Sequence, residues 1–163
     1  MAKDDFFERF RALHEMDGKA PLNKGERLEY DRVKERFAEA ICAAQHLVVK
    51  PGQTARATFR VPLIIKLVLT IDGAAQQTST YDVSLSNVTT SIATPPAEGT
   101  ELPFELFLTK TEPISGRARV VETRRNQRAV LAPIDLKASF ADRLERVLFD
   151  EMLRQLVKAA VRP

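Results

Sequence analysis

The residues best suited to chemistry sit at the two ends of one stretch, Arg56 to Asn87. Arg56 and Arg60 open it, four residues apart, and Asp82, Ser84 and Asn87 close it. Arginine presents a planar cation with five N–H donors, which grips a phosphate or a guanine edge with two prongs and stacks on a purine ring. A carboxylate at Asp82 can accept from the N1–H and exocyclic amine of a guanine. The Ser84 hydroxyl can add a hydrogen bond to base or phosphate. Together they read as a receptor for a small anionic ligand that carries a hydrogen-bonding base. Alone, R-x-x-x-R and D-x-S are weak signals, equally suited to solvated strand-end arginines and a turn-capping aspartate. Their order is more specific, because an apolar strand, a D-G turn and a polar strand join them.

Other chemistry has little support. His14 and His46 lie in the N-terminal helical stretches without a second histidine or a carboxylate at metal-ligand spacing, so they read as ordinary surface or cap histidines. No G-x-S-x-G, P-loop or G-x-G-x-x-G occurs. No catalytic residue, enzymatic activity, metal or resident cofactor is expected. Cys42 is the one cysteine and reads as a small core residue on a helix, which suits a reducing compartment. Arg117, Arg119, Arg124, Arg125 and Arg128 either extend the anionic surface or form a solvated hairpin.

The elements that must hold these groups follow in chain order. Phe6, Phe10 and Leu13 recur at helical spacing over about residues 4–16, with Asp4 and Asp5 placed to cap, and D-G-K-A-P breaks the helix. The phenylalanine stripe reads as core. A second helix starts at Asn23, with Glu26 completing a capping-box pattern, and Leu28, Val33, Phe37 and Ile41 mark its apolar side. After Pro51-Gly52 the period changes to two. Val61 to Thr70 reads as one long strand, Asp72-Gly73 as a hairpin turn and Gln77 to Val83 as the returning strand. Further strands are expected over about 88–93, 102–108, 116–122 and 128–134 in meander order, closing into an antiparallel barrel. A helix from about Ser139 to Val161 ends the pattern.

The expected fold is therefore mainly β with flanking helices: a six-stranded antiparallel barrel, two N-terminal helices and a long C-terminal helix. The divisions are residues 1–50, helical; 51–137, barrel; and 138–163, a helix packing on the barrel. A chain of 163 residues with 44% hydrophobic and 29% charged residues can bury its own core without disulfides or metal. The formal net charge of +3 is too small and too evenly spread to imply DNA or RNA binding. There is no leader-like apolar segment and no membrane span, so a cytoplasmic location is expected.

The stretch resembles the PilZ domain, the bacterial family of cyclic di-GMP receptors. F-R-V-P-L-I-I-K-L after Arg56, and Y-D-V-S-L-S-N-V later, are similar to the family's arginine linker with its first strand and to its (D/N)-x-S-x-x-G loop. The resemblance covers about Arg56 to Ile134 plus the C-terminal helix and implies a six-stranded barrel with a helix at one end. It further implies that Arg56 and Arg60 clamp guanines and phosphates of cyclic di-GMP, and that Asp82 and Ser84 read a guanine edge. Asn87 stands where the family has glycine, and Ser86 where a second glycine is common. Asparagine is the next most tolerant residue for the left-handed backbone that glycine permits there. The two added helices resemble parts used for partner contacts or homo-oligomers.

Two functions follow. In the first, the protein is a cyclic di-GMP receptor that relays second-messenger level to a protein partner in signalling or motility. In the second, it is a degenerate PilZ-like adaptor that binds a partner and no nucleotide.

Overall fold

The structure is a computed structural model that describes residues 3–108 and 112–161, with side chains for 6–108 and 112–157. The Asp4 and Asp5 cap lies outside the described side chains. Contacts divide the chain into two units, Met1–Phe59 and Arg60–Pro163.

The first unit is helical: α1 (Lys3–Lys19), α2 (Lys24–Ala44) and a single turn, α3 (Ala55–Thr58). α2 starts where the capping pattern places it. The Asn23 side chain accepts the Glu26 N–H at 2.8 Å, and its amide donates to the Glu26 carboxylate. α1 runs through Asp17-Gly18 instead of breaking there. A helical glycine costs only about 1 kcal/mol, and Asp17 is tied to Arg27 at 2.6 Å. The phenylalanine stripe is core: Phe10 and Leu13 are fully buried, and Phe10 stacks on Phe37 with centroids 4.6 Å apart. Val33, Phe37 and Ile41 are buried as expected, but Leu28 is exposed. His14 corrects the surface reading. It is buried, with Nδ1 2.6 Å from the Tyr30 hydroxyl. His46 does end α2 and takes a left-handed backbone, φ 56°.

The second unit is a barrel with strands β1 (Val61–Pro62), β2 (Lys66–Ile71), β3 (Ala74–Val83), β4 (Val88–Ser91), β5 (Glu101–Phe107), β6 (Ile114–Arg124) and β7 (Arg128–Ile134). All pairings are antiparallel, and β2, β3, β4, β7, β6 and β5 close back on β2. The closed ring has six strands, with β1 an extra short strand on the end of β3. The order is not a meander. β4 pairs with β3 and β7, and the Pro95-Pro96 connection carries the chain on to β5, which takes the other edge of β2. This connection leaves neither edge of the ring unpaired.

The expected long first strand is interrupted at residues 63–65. Thr80 is spliced into the gap: its hydroxyl donates to the Leu63 carbonyl at 2.6 Å and accepts the Ile65 N–H at 2.9 Å. Register shifts between Thr80 and Asp82 where β3 meets β4, which is a bulge. Ile64 consequently turns outward and is 81% exposed. Asp72 and Gly73 make the β2–β3 turn with φ of 51° and 79°, the left-handed pair that a D-G hairpin requires.

Leu67, Leu69, Val88, Phe104, Leu106, Val120 and Leu131 fill the barrel core. α4 (Ala138–Val161) adds buried Leu144, Leu148, Phe149 and Met152. The spacing puts them on one helical face. Gln155 fastens this helix to β1 by donating to the Pro62 carbonyl at 2.9 Å.

Candidate ligand-binding site

The five expected ligand residues fall in two places. Arg56 belongs to the helical unit, and Arg60, Asp82, Ser84 and Asn87 belong to the barrel unit.

Thr54 caps α3, its hydroxyl accepting the Ala57 N–H, so Arg56 sits on a helical turn rather than in an extended linker. The turn is tied to α2 at several atoms. Ala55 N–H donates to the Glu35 carboxylate at 3.1 Å, and the Cys42 thiol reaches the Ala55 carbonyl at 3.6 Å. Arg56 pairs with Glu35 at 3.3 Å and with Asp31 at 3.9 Å. Burial pushes the Cys42 thiol up, as do the charges of Glu35 and Glu39, in keeping with its place as a buried packing residue.

On the barrel, Arg60 immediately precedes β1, and Asp82 is the register partner of Pro62. The sheet thus brings the second arginine beside the aspartate, with Arg60 Nη1 3.7 Å from Asp82 Oδ1. The Thr89 hydroxyl donates to the same oxygen at 3.1 Å. Asp82 is the partner of Thr89, which pairs with Val130, which pairs with Glu122. One row therefore crosses the wall from the aspartate to a second carboxylate. Glu122 is held below the usual carboxylate range, first by hydrogen bonds from Arg124, then by the Arg124 charge, and further by Arg60. Arg60 pairs with Asp82, and its charge also helps to lower the Glu122 carboxyl.

Ser84 is 1% exposed, and its hydroxyl builds the loop. It accepts from the Asn87 N–H at 2.9 Å and the Ser86 N–H at 3.2 Å, and donates to the Asn87 carbonyl at 3.2 Å. The Ser84 N–H reaches the same carbonyl at 2.8 Å. One donor and two lone pairs are all a hydroxyl has, and all are used inside the turn. Asn87 is not among the described residues with left-handed backbone. The loop therefore closes without the geometry that makes glycine necessary.

Sequence reasoning missed four participants. Thr89 orients Asp82, and its only sequence signal is its place in a β-branched strand. Tyr81 lies under the Arg128 guanidinium, 4.2 Å from the ring centroid. Nothing in the spacing of Asp31 and Glu35 connects them to Arg56 across 20 or more residues. Of the remaining basic set, Arg119 pairs with Glu101 and Arg124 with Glu122. Among the described residues no His, Cys, Asp and Glu cluster has the makings of a metal site, and no helix is long and apolar enough to cross a membrane.

No protein-family model matches the sequence, and no curated protein is similar to it. Solved structures are. The Bacillus subtilis inhibitor of motility MotI/DgrA matches at 15% identity and a TM-score of 0.53, over 58% of this chain and 49% of that one. YcgR of Escherichia coli in complex with c-di-GMP matches at 19% and 0.55, over 64% of this chain and 49% of that one. The isolated PilZ domain of YcgR with c-di-GMP matches at 15% and 0.52, over 64% of this chain and 96% of the domain. This chain spans about half the length of MotI and of YcgR. At these identities the likeness establishes the fold, and the barrel is a PilZ-like domain.

Proposed function

We propose that this PilZ-fold protein is a non-enzymatic receptor for cyclic di-GMP that relays the level of the messenger to a protein partner in motility or surface behaviour. The observation that carries the reading is the Arg60–Asp82 pair, 3.7 Å apart, where a cationic fork and a carboxylate converge on one small area. A guanine nucleotide needs that combination, a cation for the phosphate and an acceptor for the base edge. Both contacts to Asp82 fall on Oδ1, which leaves Oδ2 to accept from the guanine N1–H and amine. Arg56, four residues ahead, supplies the second clamp. Ser84 and Asn87 shape the loop that presents Asp82. The complex of YcgR with c-di-GMP and the motility role in the name of MotI support the ligand class and the output. A cytoplasmic setting follows from the ligand, and assembly through the helices remains part of the proposal.

A second reading, an adaptor that binds no nucleotide, is favoured by one observation: the Ser84 hydroxyl is fully used within its turn. Equilibrium dialysis with labelled cyclic di-GMP, competed by unlabelled cyclic di-GMP and by cyclic di-AMP, separates the two. Retention displaced by the guanine dinucleotide alone supports the receptor. No retention at high micromolar ligand leaves the adaptor.

A further inference from the structure

Asp31 and Glu35 are one turn apart on α2, and both face Arg56. Glu35 Oε2 lies 3.3 Å from Nε and Asp31 Oδ1 lies 3.9 Å from Nη1, so the guanidinium is neutralised by two ion pairs, while the buried Nε makes no hydrogen bond among the described residues. The arginine is only 30% exposed in this grip. Glu35 also accepts the Ala55 N–H through its other oxygen, so one side chain fixes both the turn and the cation on it. A phosphate is drawn to the same guanidinium charge that these carboxylates neutralise.

We infer that α2 is a built-in anionic competitor for Arg56: the Asp31–Glu35 pair and an anionic ligand hold this arginine in mutually exclusive ways. The inference rests on the reading of Arg56 as a ligand residue and adds the regulation of that site. Affinity is set partly by how firmly α2 holds the arginine. Ligand capture in turn releases the α2–α3 contact and so changes the helical unit. Coupling of this kind is reciprocal, because whatever strengthens the α2 grip weakens the ligand by the same factor.

The test is titration of the full chain with cyclic di-GMP, comparing wild type with the double variant Asp31→Asn, Glu35→Gln. Glutamine keeps an oxygen for the Ala55 N–H, which preserves the turn, and a far-ultraviolet spectrum checks the fold. The double variant is expected to bind about fivefold more tightly, the effect of roughly one modest ion pair. Glu39→Gln on the same helix controls for overall charge and should change nothing. In an Arg56→Ala background the gain should vanish. A double variant that binds no more tightly than a binding wild type overturns the inference and leaves the receptor standing. An equal gain from Glu39→Gln, or a gain that survives Arg56→Ala, overturns it as well. Binding by the double variant alone supports it, and binding by neither protein overturns both the inference and the receptor.

Discussion

The Asn87 N–H donates to the Ser84 hydroxyl at 2.9 Å, and the loop after β3 closes on that serine. The usual device for such a loop is a glycine with left-handed backbone. Here a side-chain oxygen gathers two N–H groups instead, and the loop forms with asparagine in place. The Ser84 hydroxyl shapes the surface beside Asp82.

Ser84→Ala removes this oxygen from a site that is 1% exposed. It leaves two N–H groups without their acceptor, which costs about 1–3 kcal/mol. A urea unfolding curve should shift its midpoint down with its slope unchanged. Ligand affinity should fall only through the loop.

Asn87→Gly restores the glycine but gains nothing in strain, because Asn87 is not among the described left-handed residues. The added chain freedom should cost about 0.5–1 kcal/mol. A higher melting temperature for this variant would contradict the account. Asp135, at φ 49°, is the contrasting position, where glycine should relieve strain.

Tyr30→Phe tests the buried polar contact of the helical unit. His14 Nδ1 and the Tyr30 hydroxyl are 2.6 Å apart and shielded from water. Losing the hydroxyl should cost about 1–3 kcal/mol, read by chemical denaturation, with no change in ligand affinity.

Glu122 is the barrel-face carboxyl whose titration the Arg124 guanidinium shifts. Its carboxyl is lowered from its ordinary 4.5, first by the Arg124 hydrogen bonds and least by Arg60. A carboxyl lowered on folding stabilises above its unfolded pKa, and that contribution is lost as pH falls through the folded value. The window therefore lies below pH 4.5. A carboxyl-carbon NMR titration should show Glu122 moving back up strongly in Arg124→Ala and slightly in Arg60→Ala.

Much of this was legible in the sequence, for physical reasons that differ by element. α2 was readable because its capping is local: Asn23 and Glu26 are three residues apart, and the cap uses both. The Asp72-Gly73 turn was readable because its backbone excludes most other residues. The pairing of β4 with β7 was not readable, since it joins segments 40 residues apart by closure of the whole ring. The gap at residues 63–65 was hidden for a similar reason. Its cause is Thr80, a side chain from the neighbouring strand. The buried state of His14 depends on Tyr30 of another helix, and no spacing within α1 reports it.

At the site, residue types pointed to the chemistry and the fold then sorted the residues. Arg60 and Asp82 come together because Asp82 pairs with Pro62, two positions after the arginine. Arg56 is four residues from Arg60 in sequence, yet its described partners lie on α2. Between separate elements, linear spacing does not tell which carboxylate an arginine will find.

Calorimetric titration of cyclic di-GMP into the full chain, repeated on Arg60→Ala and Asp82→Ala, tests the central claim most directly. The account predicts saturable heat for the wild type and a loss of at least about tenfold in affinity for each variant, the scale of a charge-assisted hydrogen bond. No heat at high micromolar ligand, or binding indifferent to both substitutions, would contradict it.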